Sequence, residues 1–187
     1  GLSKQFVLNS NLRVDASSFR KELLRDEGYS VGRLDARYKG EDYMVAGENP
    51  DTDISNEGFA AAYVSAIHTW LAEIGVDIKR LYRSGDRELG KNWDWVSTQN
   101  GWPRYVNVAP HIGRAMRENI DFKVYLACGI YDLATPCFTA TNTIYENGID
   151  ASRVKFSEFE GGHMMYNHQP SFDKFLKELR NFVAEDD

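Results

Sequence analysis

The sequence is short of several things, and each shortage excludes something. It holds 2 cysteines in 187 residues, too few for a disulfide framework and not enough to fix a redox compartment. Nowhere does an apolar run approach the roughly 18 residues a bilayer-spanning helix needs, so no membrane partner is expected. No basic start leads into a short apolar run, so no signal peptide is expected. Positive charge is in deficit: 22 Lys and Arg face 28 Asp and Glu, a net charge of −6. That balance favours solubility and argues against a surface built to grip nucleic-acid phosphates or an anionic membrane. Internal repeats and Pro/Ser-rich linkers are also absent. What remains is 42% apolar and 27% charged, the composition of an ordinary globular chain. At this length it is expected to form one compact domain, or a domain with a subdomain, and to bury roughly 70% of its unfolded surface.

Local patterns divide the chain in two. Asp15–Glu27 reads as a helix, with Asp15 or Ser17 as cap, Phe19, Leu23 and Leu24 as an apolar face, and Gly28 as a left-handed stop. Tyr29–Asn56 is rich in Gly, Asp and Glu and reads as irregular or lid-like. A helix follows over Asn56–Glu73, with Phe59, Tyr63, Ile67, Trp70 and Leu71 on one side. Lys79–Ser84 reads as a short strand. From about residue 104 the texture changes. Tyr105–Asn119 reads as an amphipathic helix that Pro110 delays or bends. Lys123–Cys128 is a short apolar run, the pattern of a buried strand. Thr139–Asn147 reads as helix, and Val154–Glu160 alternates like a strand. Ser171–Ala184 closes the chain as a helix with Phe172, Phe175, Leu176, Leu179 and Phe182 along one face. Helix, strand, helix, strand, helix is half of an α/β layered domain with parallel strands. The expected division is therefore 1–103, helical and irregular, and 104–187, α/β.

In open α/β sheets, reactive groups gather just past the carboxyl ends of the strands. Asp132 occupies that place after the first strand and His163 after the second. Singly, Asp132 reads more readily as a solvated loop acid and His163 as a structural histidine. Together, on neighbouring strands only ~5 Å apart, they read as a pair. A buried Asp accepting from His Nδ1–H fixes the tautomer and leaves Nε2 as a general base.

The motifs Gly129-Ile-Tyr-Asp132-Leu-Ala-Thr-Pro136 and Glu160-Gly-Gly-His163-Met-Met-Tyr166, followed by a C-terminal amphipathic helix, closely resemble the end of the bacterial branch of the serine carboxypeptidase family. The stretches RKELLRDEGYSVGRLDARYKG (20–40) and RYVNVA (104–109) resemble segments of that family's lid and following helix. The resemblance implies an α/β-hydrolase fold, in which this chain supplies the C-terminal half of the sheet behind a mainly helical lid region. It implies that Asp132 is the acid and His163 the base of a Ser–His–Asp triad, with Met164 lining the site near the leaving group. It implies a peptide substrate, cleaved at its C-terminal end through an acyl-enzyme, and no cofactor. An extracytoplasmic location is implied by the resemblance only. The G-x-S-x-G nucleophile elbow occurs nowhere in the sequence: Ser84 precedes Gly85, but Tyr82 stands where the elbow needs glycine. The chain is therefore expected to be a C-terminal fragment, inactive alone, without nucleophile or oxyanion hole. An acyltransferase of the same family, or a non-catalytic binding module that keeps the fold, are the alternatives.

Other motifs read as incidental. His168 follows His163 by five positions, whereas a helical metal pair wants four, and no metal is expected. His68 reads as a partly buried helix residue and His111 as a helix-start or surface one. Gly85–Asn92 imitates a phosphate-binding loop but ends in Asn92 where a hydroxyl is needed. Asp51–Ser55 imitates a calcium loop without its glycine or its glutamate. Trp93, Trp95, Trp102 and Tyr105 read as an aromatic cluster that packs the lid onto the core, or as a wall over a substrate cleft. Cys128 reads as a buried strand thiol, with a bridge to Cys137 left open. A piece carrying only two core strands leaves an exposed sheet edge, so self-association is expected.

Overall fold

The computed structural model describes residues 1–77, 79–80, 82–94 and 106–184. Among the described residues, seven α-helices and four strands run in the order α1 (Lys4–Asn9), α2 (Ala16–Glu22), β1 (Tyr29–Val31), β2 (Lys39–Glu41), α3 (Ile54–Glu73), α4 (Arg87–Asn92), α5 (Ala109–Glu118), β3 (Val124–Gly129), α6 (Cys137–Glu146), β4 (Val154–Phe159) and α7 (Gln169–Ala184). The fold is mixed α/β with two small sheets: β1 and β2 pair antiparallel, β3 and β4 parallel.

The parallel pair is the frame of the molecule. Val124 lies opposite Val154 and the register runs unbroken to Gly129 opposite Phe159. Side chains alternate along a strand, so Val124, Leu126 and Val154 face one way, onto a cluster of Ala109 and Met116 from α5, Ile144 from α6, and Ile149. The opposite face carries Tyr125, which stacks on Phe175 and Phe182 of α7 at 6.2 and 5.5 Å, and Phe159, edge-on to Phe175 at 5.9 Å. Pro110 sits in the first turn of α5, where a missing N–H is tolerated, so that helix begins late as expected. Arg153, just before β4, donates to the carbonyls of Met116, Asn119 and Ile120 and so closes the open end of α5.

Four expectations need correction. The stretch after Gly28 is not wholly irregular, because Tyr29–Val31 and Lys39–Glu41 form a hairpin; three-residue strands are too short to show a period in sequence. In α2 the fully buried residues are charged. Arg20 donates to Val31 O and Thr52 O, and Lys21 pairs with Asp42 at 2.8 Å, while Phe19, Leu23 and Leu24 are only half-buried. The described residues of Lys79–Ser84 form no strand. The core is also smaller than the length suggests. Accessible surface is 13637 Å², against roughly 9,100 Å² for a compact chain of this mass. On α3, Phe59 and Tyr63 join Tyr38 in edge-on aromatic contacts, but Trp70 is 52% exposed. The expected boundary at 103/104 and Trp95, Trp102 and Tyr105 lie outside the described residues; Trp93 is exposed.

Candidate functional site

The chain leaves β3 at Gly129 and β4 at Phe159, and the two exits remain laced together. Ile130 N donates to Phe159 O and Tyr131 N to Gly161 O, both at 3.0 Å. The approach is close: a Cβ on Gly129 would stand 2.0 Å from Gly162 O, so only glycine fits there. Asp132 and His163 are thereby delivered to the same point. His163 Nδ1 lies 2.8 Å from Asp132 Oδ2.

Asp132 is 5% exposed, and apart from His163 every donor around it is local. Oδ1 accepts the amides of Ala134 at 2.7 Å and Thr135 at 3.0 Å. Oδ2 accepts the Thr135 hydroxyl at 2.6 Å. Burial by itself would raise the carboxyl pKa, but the Thr135 hydroxyl and amide, His163 and the Ala134 amide outweigh it and hold Asp132 below its ordinary value. The carboxylate is therefore ionised at neutral pH and can only accept. Nδ1 of His163 must then carry the proton it donates, which leaves Nε2 as the ring position from which a proton can be taken or to which one can be added. The imidazole side chain is 44% exposed, and among the described residues Nε2 has no hydrogen-bond partner. A buried acid orienting a solvent-facing base is the result.

Sequence reasoning named Asp132 and His163 but missed Thr135, whose Oγ1 also lies 3.2 Å from His163 Nδ1. The signal was a threonine three residues after the acid, the spacing of a local side-chain-to-backbone turn. Met164 lines a cavity of about 130 Å³ together with Leu34, Asp35, Arg37, Tyr38, Phe59, Asn167 and His168. Larger hollows lie at the end of α3, of 370 Å³, and between α5 and α6, of 660 Å³; among the described residues that line them, no histidine is hydrogen-bonded to a carboxylate.

The incidental motifs are accounted for by internal bonds. His168 Nδ1 meets the Ser171 hydroxyl at 2.8 Å, and that hydroxyl donates to Glu160 O, so this histidine seats the start of α7. His68 is half-buried and accepts from Tyr82 N, and His111 is exposed at the start of α5. The start of α4 is capped by Asp86 rather than open to phosphate. Asp51 accepts from Met44 N, and Asp53 from Arg33 N and the Ser55 hydroxyl. Cys128 is bridged to Cys137, correcting its reading as a thiol. With Glu158 these form the one cluster of metal-ligating groups among the described residues, but bridged sulfurs offer no thiolate.

The fold and the site together define a mixed α/β protein with an orienting acid and a base at the carboxyl ends of two parallel strands. No family model, curated protein or solved structure matches the chain.

Proposed function

We propose that these 187 residues are the C-terminal part of a serine carboxypeptidase-like hydrolase of the α/β-hydrolase fold, with residues 1–103 forming its lid region. Asp132 and His163 serve as acid and base of a Ser–His–Asp triad whose serine and oxyanion donors come from outside this sequence. The observation that carries the reading is the 2.8 Å contact between His163 Nδ1 and a buried, ionised Asp132, which leaves Nε2 facing solvent.

In the complete protein, Nε2 takes the proton from the serine hydroxyl as its oxygen attacks the carbonyl of the last peptide bond. Asp132 stays ionised and stabilises the imidazolium. The imidazolium gives its proton to the departing amine as the C–N bond breaks, leaving an acyl-enzyme. Water, deprotonated by the same Nε2, then releases the shortened peptide and restores the serine. Met164, which follows His163 in the chain and lines the 130 Å³ cavity, contacts the leaving residue. The chain by itself is inactive.

The test is labelling of the full-length protein by a fluorophosphonate probe. His163→Ala is expected to slow acylation by about 10⁴-fold or more, and His168→Ala to change it little. A full-length protein with its serine intact that stays unlabelled overturns the reading in favour of a binding module. Labelling followed by transfer of the acyl group to an alcohol or amine in preference to water would instead mark an acyltransferase.

A further inference from the structure

The imidazole sits on a loop that opens with two glycines, Gly161 and Gly162, directly before His163, residues that bring no side chain of their own to hold it. Part of its restraint comes from a distant part of the chain. His163 N donates to Leu34 O at 2.6 Å, Ala36 N to Tyr131 O at 2.9 Å, and Leu133 N to Arg33 O at 3.0 Å. Residues 33–36 thus grip His163 itself and both neighbours of Asp132.

The gripping segment has its own internal brace. Asp35, 7% exposed, accepts the Arg37 amide at 3.0 Å, its Nε at 3.0 Å and its Nη2 at 2.7 Å. The Arg37 guanidinium lies 4.8 Å from the centre of the Tyr131 ring. From behind, Arg33 N donates to Asp53 Oδ1 and Leu34 N to the Ser55 hydroxyl, which ties the segment to the start of α3. Gly162 fits beneath it: a Cβ there would stand 2.2 Å from Leu34 O and 2.5 Å from Asp35 Cβ. Burial would push the Asp35 carboxyl up, but Arg37 and the Gly162 amide outweigh it and keep the group ionised.

We propose that Arg33–Arg37 is a positioning element for the Asp132–His163 pair, with Asp35 and Arg37 as the positioning residues that hold its shape. The bearing of this element on catalysis rests on the hydrolase reading above. Neither residue touches the reacting atoms. They act through the Leu34 and Arg33 carbonyls and the Ala36 amide, which set where the two loops stand.

The experiment is NMR of the chain labelled with ¹⁵N-histidine, following solvent exchange of the His163 Nδ1–H proton and the tautomer balance of the ring. Asp35→Asn and Gly162→Ala are each expected to speed that exchange about tenfold, the loss of one ordinary hydrogen bond, and to mix the tautomers. Cooperative unfolding should be retained. Asp150→Asn, which removes the carboxylate partner of Arg153, remote from the pair, should lower Tm and leave the His163 signature unchanged. If Asp35→Asn does not fold, Arg37→Gln, on a side chain 39% exposed, gives the same reading. An unchanged signature in any folded Asp35, Arg37 or Gly162 variant, or an equal change in Asp150→Asn, overturns the proposal. Because the ring is read and not turnover, that failure leaves the hydrolase reading standing, and a silent fluorophosphonate assay with a changed signature sinks only the latter.

Discussion

A carboxylate 5% exposed needs its lone pairs filled, and Asp132 fills them within four residues and one histidine. The Thr135 hydroxyl is the shortest of these donors, at 2.6 Å. Thr135→Val keeps the shape of the side chain and removes the donor, leaving part of a buried carboxylate unsatisfied. The expected cost is about 1–3 kcal/mol, read as a lower urea midpoint at neutral pH. The same residue shapes the acid limb. Asp132 has a folded-state pKa below its unfolded value. Its contribution to stability is therefore complete above the ordinary aspartate range and is lost as pH falls through the depressed value. The Thr135→Val deficit should accordingly shrink as pH falls through that window, and a deficit constant from neutral pH down into it would contradict this account. Asp132 and His163 were legible in the sequence because strand ends advertise themselves through the apolar runs before them. Thr135 was not, since a hydroxyl's partner depends on a rotamer that sequence does not specify. Asp35 and Arg37 were hidden for a different reason: what they brace meets loops more than ninety residues further on (Ala36 to Tyr131, Leu34 to His163).

Among the elements, the legible ones carry dense local signals. In α7, Phe175 and Phe182 share one face by helical spacing and both find Tyr125 of β3; the periodicity and the packing agree. For α3 the periodicity pointed to a helix correctly, but its apolar residues are spread around it, and Trp70 and Ile74 are half exposed. Sequence shows where apolar residues recur and not what covers them. In α2 the charged Arg20 and Lys21 are inside because carbonyls and carboxylates of the hairpin region meet them there, a tertiary fact invisible in the helix itself. The link from β3 to α6 is the other element that sequence left open. Its bridge joins residues nine apart around the loop that holds Asp132. Replacing both cysteines by serine is expected to lower stability by about 2–3 kcal/mol, measured by urea unfolding against the oxidised parent, with no loss expected against the reduced one.

On the scale of the whole molecule, burial falls short. Parallel sheets are normally covered on both faces and flanked by further strands, yet among the described residues β3 and β4 pair only with each other. Phe156 on β4 is 40% exposed, and Phe138 and Tyr145 of α6 are 82% and 72% exposed. Unpaired strand edges and apolar surface recruit other chains, so the isolated chain is expected to self-associate. Sedimentation velocity over a tenfold concentration range checks this, and a monodisperse monomer throughout would contradict it. In the hydrolase reading, the upstream part of the same protein covers these surfaces, and adding it as a separate polypeptide should dissolve the self-association.

The short ring closed by Cys128 and Cys137 has a practical corollary. Neither Lys nor Arg occurs between Lys123 and Arg153, so trypsin leaves both sulfurs on one peptide, Val124–Arg153. Mass spectrometry will register closure as that peptide being lighter by two hydrogens, never as two peptides joined. Conversely, any covalent dimer seen on a non-reducing gel must come from molecules whose ring stayed open.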